Sequence, residues 1–134
     1  MTQAEINNLL LTRFKGMKKE DIPVVILDPG HREKTAGKRS PDGTVREYAV
    51  AQDVVDKAAK VLEAHGCLVV KTKELNDNFP ALTEKEDLYR RSALANNLYA
   101  QGFKRMYFLS AHFNAHLSTW SSARGYEVFY CTGS

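Results

Sequence analysis

Strand-like and helix-like patterns of apolar residues alternate along the chain. Continuous apolar runs at residues 24–27 and 67–70 predict two strands buried on both faces, as in a parallel sheet. Between them, residues 47–65 carry a broad apolar stripe with a helical period, and Gly66 follows where a left-handed C-terminal cap is expected. Residues 105–109 predict a third strand.

Two capping boxes predict further helices. Thr2 and Glu5 indicate a short first helix with its apolar residues on one side. Thr83 and Glu86 indicate another helix, which ends near Gly102 and lies before the third strand.

The order of the predicted elements defines the fold class. Residues 124–130 alternate in the manner of a fourth strand, which follows the third directly. The chain therefore predicts an α/β fold with a mostly parallel, mixed sheet flanked by helices. A length of 134 residues fits one domain. Within it we predict an N-terminal helical extension over residues 1–22 and a core over residues 23–134.

Composition and charge narrow the possible partners and the cellular compartment but do not change the predicted fold. The net charge of +3 permits an anionic partner, but no basic stripe interleaved with aromatic residues predicts nucleic-acid binding. The apolar run at residues 9–11 is too short for a signal peptide or a membrane span, so we expect synthesis in the cytoplasm. Cys67 and Cys131 lie far apart without CxxC spacing, and we expect two small apolar side chains on strands.

Two histidines follow predicted strands at their carboxyl ends. His31 comes after the first strand and His112 after the third, and ligands of such sheets collect at this edge. Glu47 begins the helix after the first strand, where the helix dipole favours a carboxylate. A His, Glu, His set suits catalytic zinc and also iron(II). From these residues alone, a simple helix-start role for Glu47 and surface roles for the histidines stay open.

A set of short motifs runs in one order from about Val24 to the end of the chain. They are LDPGH at 27–31, residues 43–47, LxxRxxxAN at 88–96, LSAHFNA at 109–115 and RGYEVFY at 124–130. Jointly they resemble the zinc-dependent N-acetylmuramoyl-L-alanine amidases of the amidase-3 family. The loop GKRSP, residues 37–41, looks most like phage or prophage members.

The resemblance implies a phosphorylase/hydrolase-like fold and zinc held by His31, Glu47 and His112. The implied substrate is peptidoglycan, cut at the amide bond between the lactyl group of N-acetylmuramic acid and L-alanine. The family's general base is a glutamate near the C-terminal end of its domain, and no segment of this sequence matches it. The sequence thus resembles a C-terminally truncated member, in which Glu127 is the nearest candidate carboxylate, although a structural or site-lining role also fits it.

Further residues are candidates for supporting roles. Arg39, Asn114 and Trp120 are candidates for substrate contacts, the last by stacking on a sugar ring. Asp28 either orients a ligand histidine or caps the turn after the first strand.

Three functions stay open for the chain. It is an amidase, a non-catalytic module that binds zinc or peptidoglycan, or an inactive fragment that associates with another chain to complete its fold. An amidase without a signal peptide would reach the cell wall by a phage-type release.

Overall fold

A three-stranded parallel sheet forms the centre of the structure, a computed structural model. The central strand β1 (Val24–Pro29) lies between β2 (Leu68–Lys71) and β3 (Met106–Ala111). The parts of the chain that the structure describes are residues 1–35, 37–74, 83–114, 122 and 124–132. Since all three strands run in one direction, their carboxyl ends lie at one edge of the sheet.

In the described parts of the chain, three α-helices accompany the sheet, each close to its predicted position. They are α1 (Gln3–Leu11), α2 (Glu47–Ala64) and α3 (Glu84–Ala100), and a short 3₁₀ helix, Lys19–Asp21, precedes β1. The capping boxes predicted at the starts of α1 and α3 are both formed. These contacts satisfy N–H groups that a helix start otherwise leaves without partners.

The side chains of β1 alternate between two apolar cores. Val24 and Ile26 pack into a core that also contains residues of α1 and α3. Val25 and Leu27 pack on the other core, which contains residues of α2 and β2. Burial on both faces explains the continuous apolar run and confirms the interpretation of this segment as a parallel strand.

The predicted N-terminal extension is part of the first core. Its Ile6, Phe14 and Ile22 are buried together with residues of the strands. Among the described residues, no helix has the length and apolar character needed to cross a membrane.

The predicted fourth strand is wrong. Residues 124–132 belong to no helix or strand, and Tyr126 and Phe129 are almost fully exposed. Alternation of apolar residues fits a half-buried strand, but a strand also needs a backbone partner and a face to bury, and this segment has neither among the described elements. Cys131 in the same segment is exposed, contrary to expectation, whereas Cys67 packs against the second core.

Candidate metal centre

Three predicted site residues meet at the carboxyl edge of the sheet. His31 follows β1, His112 follows β3, and Glu47 is the first residue of α2. One nitrogen of each imidazole and one oxygen of the carboxylate all lie within 4.8 Å of one another. The parallel topology therefore brings together side chains that are far apart in sequence.

The carboxylate of Glu47 lies between the two imidazole rings. Its Oε2 is 3.4 Å from His31 Nε2, and its Oε1 is 3.2 Å from His112 Nδ1. The ring centroids of the histidines are 5.1 Å apart, and the ring planes are nearly perpendicular. All three side chains thus face a common point.

Backbone N–H groups hold the Glu47 carboxylate in place. The N–H of Lys38 donates to Oε2 at 2.8 Å, and the N–H of Phe113 donates to Oε1 at 3.0 Å. Burial raises the pKa of the Glu47 carboxyl, but these N–H groups and the two histidines lower it by more, so the pKa lies below its ordinary value. Glu47 is therefore an ionised carboxylate at neutral pH, buried and fixed in orientation.

Two glycines lie so close to the candidate ligands that a larger residue would not fit in their place. A Cβ on Gly30 would lie 2.6 Å from the His112 ring. A Cβ on Gly37 would lie 2.6 Å from the His31 ring and would also collide with Glu47 Oε2. Side chains larger than hydrogen at these positions would displace the three candidate ligands.

Asp28 has a role that neither sequence interpretation foresaw. Its Oδ1 accepts hydrogen bonds from Thr72 Oγ1 at 2.7 Å and Arg91 Nη1 at 2.8 Å, and its Oδ2 accepts one from Ser110 Oγ at 2.7 Å. The buried carboxylate thus connects the ends of the three strands to α3. It stabilises the sheet edge on which the site is built.

Arg91 is a residue of the site region that received no role from the sequence. It extends from α3 to the loop after β1, where it donates to the carbonyl oxygens of Pro29 and His31. A signal was present, because Asp87 and Arg91 are four residues apart on one helix and Asp28 interrupts an apolar strand. Buried charges of this kind need partners, although the pairing itself is set by the fold.

A pocket of about 260 Å³ adjoins Glu47. Its lining includes Arg39 and Asn114, two of the residues predicted to contact substrate, together with Phe113 and the apolar side chains of Val45 and Val50. It suits a small part of a larger ligand.

The remaining predicted residues do not join this cluster. Glu127 is exposed in the segment 124–132 and is not among the mutually close donor atoms of the described residues. Trp120 lies outside the described residues.

The donor set fits a four-coordinate metal ion. Tetrahedral zinc with ligands at about 2.0–2.1 Å separates neighbouring ligand atoms by about 3.3 Å. His31 Nε2 lies 3.4 Å from one oxygen of Glu47 and His112 Nδ1 lies 3.2 Å from the other, and one donor atom of each residue lies within 4.8 Å of the others, so small side-chain rotations would bring the three donors to that spacing. Three protein ligands would leave a fourth position open, as in catalytic sites.

Fold and site together define an α/β domain with a candidate metal centre at the carboxyl edge of its sheet. Residues 25–133 match the family model Amidase_3, described as N-acetylmuramoyl-L-alanine amidase. The chain belongs to this family, which was the family suggested by its motifs.

Two solved amidases resemble the structure. N-acetylmuramoyl-L-alanine amidase AmiC2 of Nostoc punctiforme is 28% identical with a TM-score of 0.57, and the match covers 78% of this chain and 49% of that one. The CwlD amidase from Clostridioides difficile, solved in complex with the GerS lipoprotein, is 22% identical with a TM-score of 0.55 and coverages of 70% and 49%. Both share the α/β fold, and the chain spans about half of their length. No curated protein matches the chain significantly.

Proposed function

We propose that this protein is a zinc-dependent amidase of peptidoglycan. It would hydrolyse the amide bond between the lactyl group of N-acetylmuramic acid and L-alanine. The observation that carries the proposal is the convergence of His31, Glu47 and His112 donor atoms within 4.8 Å. Family membership over residues 25–133 supports the substrate and the bond.

The three converging side chains would hold the zinc ion. When bound, zinc supplies Lewis acidity and lowers the pKa of a coordinated water to about 7. In the metal-free protein Glu47 is already ionised, and backbone N–H groups hold both of its carboxylate oxygens. A ligand held in this way needs little rearrangement on binding.

The pocket beside Glu47 would hold the part of the substrate nearest the scissile bond. The Arg39 and Asn114 side chains line it and offer hydrogen-bond donors to carbonyl oxygens of a glycopeptide. Val45, Val50 and Phe113 offer an apolar wall for small methyl-bearing groups such as those of lactate and alanine.

Amide hydrolysis also needs a group that accepts the proton of the attacking water and delivers it to the leaving amine. The sequence offers Glu127 for this step, although its exposed side chain is not among the mutually close donor groups of the described residues, so the segment 124–132 would have to bring it to the site. We predict that Glu127→Gln lowers the rate of wall hydrolysis by about 100-fold, a typical loss for a missing general base, and leaves zinc affinity unchanged. Equal rates for the variant and the wild type, measured at saturating zinc, would exclude Glu127 as the base.

The amidase proposal is tested by incubating the purified protein with isolated cell walls, with zinc and with a chelator. Newly exposed L-alanine amino termini report the bond that is cut. We expect release with zinc, none with the chelator, and none from His31→Ala. His65→Ala is the matched control, because His65 lies exposed at the C-terminal end of α2 and its imidazole bonds to the nearby Val61 carbonyl; it should remain active.

Two outcomes would contradict the proposal in different ways. Absence of release at every zinc concentration would reject catalysis by this chain and leave binding alone. Iron in place of zinc, found by elemental analysis of protein purified without added metal, would reject the zinc amidase.

We also propose that the enzyme reaches the wall by a phage-type release. The support is the resemblance of residues 37–41 to phage and prophage sequences. Cytoplasmic expression of this chain should leave host cells intact until a membrane-permeabilising protein is co-expressed. Lysis without that second protein would contradict this route.

A further inference from the structure

The backbone of His31 has a conformation that needs support. Its φ of 61° lies in the left-handed region, and it is the only non-glycine residue with positive φ among the described residues. This conformation is disfavoured for L-residues, although histidine tolerates it better than bulky side chains do. Something in the surrounding structure must hold the loop in place.

Arg91 provides that support from α3. Its Nη1 donates to the carbonyl oxygen of Pro29 at 2.6 Å, and its Nη2 donates to the carbonyl oxygen of His31 at 2.9 Å. The two bonds hold the Pro29–Gly30 and His31–Arg32 peptide units, which lie before Gly30 and after His31. They therefore determine where the chain turns after β1 and where the His31 imidazole points.

The guanidinium group is itself held on all sides. Asp87 accepts from Nε at 3.1 Å and from Nη2 at 3.0 Å, and Asp28 accepts from Nη1 at 2.8 Å. With the two carbonyl bonds, these contacts number five, which equals the five N–H donors of an arginine. The Arg91 side chain is only 5% exposed, so its orientation is fixed without help from water.

We propose that Arg91 is a positioning residue that holds His31 in its left-handed conformation and so preorganises the candidate metal centre. This inference rests on the proposed role of His31 as a zinc ligand. A lysine cannot replace the arginine fully, because a single ammonium group lacks the planar fork that reaches both carbonyl oxygens and both carboxylates.

The test compares Arg91→Lys with a control from the same buried network. Thr72→Val removes the hydroxyl that donates to Asp28 but leaves every Arg91 bond in place, and valine has nearly the shape of threonine. Zinc affinity is measured by competition with a chelating dye, and the absorption spectrum of the cobalt-loaded protein reports coordination geometry. In the metal-free protein, the scalar coupling between the amide and α protons of His31 reports φ.

We expect Arg91→Lys to weaken zinc binding 10- to 100-fold, to alter the cobalt spectrum and to change the His31 coupling. Thr72→Val should retain the wild-type values of all three, even if its thermal stability falls equally. Wild-type affinity and coupling in Arg91→Lys would overturn the inference, and so would an equal loss of affinity in Thr72→Val.

The test still decides the role of Arg91 if Arg91→Lys does not fold or if the wild type binds no zinc. If Arg91→Lys does not fold, Asp87→Asn removes the negative charge that anchors Nε and Nη2 and weakens the contact of Asp87 with Arg32, while Asp28 still balances the charge of Arg91, and the same criteria apply. If the wild type binds no zinc, the proposed function fails, while the His31 coupling in the metal-free variants still decides whether Arg91 holds the loop.

Discussion

The carboxylate of Glu47 connects the two histidines of the candidate metal centre. Both of its oxygens accept a backbone N–H, and each lies within 3.4 Å of an imidazole nitrogen. A buried anion with this many favourable contacts is part of the folded structure even without a metal. Substitution of Glu47 should therefore affect both stability and metal binding.

We predict that Glu47→Gln abolishes stoichiometric zinc binding and lowers the free energy of unfolding of the metal-free protein by about 1–3 kcal/mol. The amide NH₂ group must face one of the two backbone N–H donors, which leaves that donor buried and unsatisfied. Calorimetric zinc titration and urea denaturation measure the two effects. The control is Glu33→Gln, since Glu33 is exposed in the preceding loop. Zinc binding retained by Glu47→Gln would contradict its assignment as a ligand.

Gly37 and Gly43 form a matched pair for testing how closely the loop approaches the site. Both have positive φ, 67° and 73°, but only Gly37 lies against the side chains of His31 and Glu47. Alanine at either position should cost about 1–2 kcal/mol for the left-handed backbone. Only Gly37→Ala should also weaken zinc binding, as measured by dye competition. Equal zinc affinities in the two variants would show that the loop at Gly37 can shift to fit alanine without displacing His31 and Glu47.

The three candidate ligands could be located from the sequence because topology decides their position. His31 and His112 follow parallel strands, and the carboxyl ends of such strands share an edge. The contacts of Asp28 and Arg91 could not be located in this way. They join residues 63 positions apart, and no local pattern specifies which buried charge will meet which.

Helix α3 contacts the loop after β1 through residues in its N-terminal half. It begins with the Thr83 capping box and carries Asp87 and Arg91 four and eight residues after that cap. Its contacts with the loop after β1 therefore depend on the helix start remaining formed.

We predict that Thr83→Ala lowers the free energy of unfolding by about 1 kcal/mol and increases hydrogen exchange of the amides around His31. Thr2→Ala removes the equivalent capping box of α1, which carries none of the candidate site residues, and should cost about the same stability. Exchange near His31 should stay at the wild-type level in that control. Unchanged hydrogen exchange near His31 in Thr83→Ala would show that the loop around His31 does not depend on the start of α3.

The helices and strands of the core were predicted correctly from the sequence, whereas the strand predicted for residues 124–130 is not formed. Caps, a helical stripe and continuous apolar runs are local signals, and they specify all three helices and the three strands of the sheet. For residues 124–130 the alternating pattern was equally clear. Pairing of a strand depends on the surface offered to it, and in the structure Phe129 and Tyr130 remain exposed.

Among the described residues, apolar side chains are unusually exposed on and beyond β3. On β3 itself, Tyr107, Phe108 and Leu109 are 59%, 41% and 54% exposed, although parallel strands are normally covered. Phe129 and Tyr130 add a second exposed group at 86% and 81%. Apolar patches of this kind promote association between proteins.

We predict that the chain, purified alone, associates with itself in a concentration-dependent manner. Replacing Phe129 and Tyr130 by serine should weaken the association without lowering the melting temperature, because both side chains are almost fully exposed in the folded chain. Leu11→Ser is the control, since Leu11 is 74% exposed and belongs to α1, outside the exposed groups on and beyond β3. Sedimentation analysis that finds a monomer at all concentrations would contradict the prediction.

We expect His31, Glu47 and His112 to bind one zinc ion together. X-ray absorption at the zinc edge of the metal-loaded protein measures this coordination. We predict two imidazole nitrogens and carboxylate or water oxygens at about 2.0–2.1 Å, with one imidazole missing in His31→Ala. A sulfur ligand at about 2.3 Å, or a spectrum that His31→Ala leaves unchanged, would contradict this expectation.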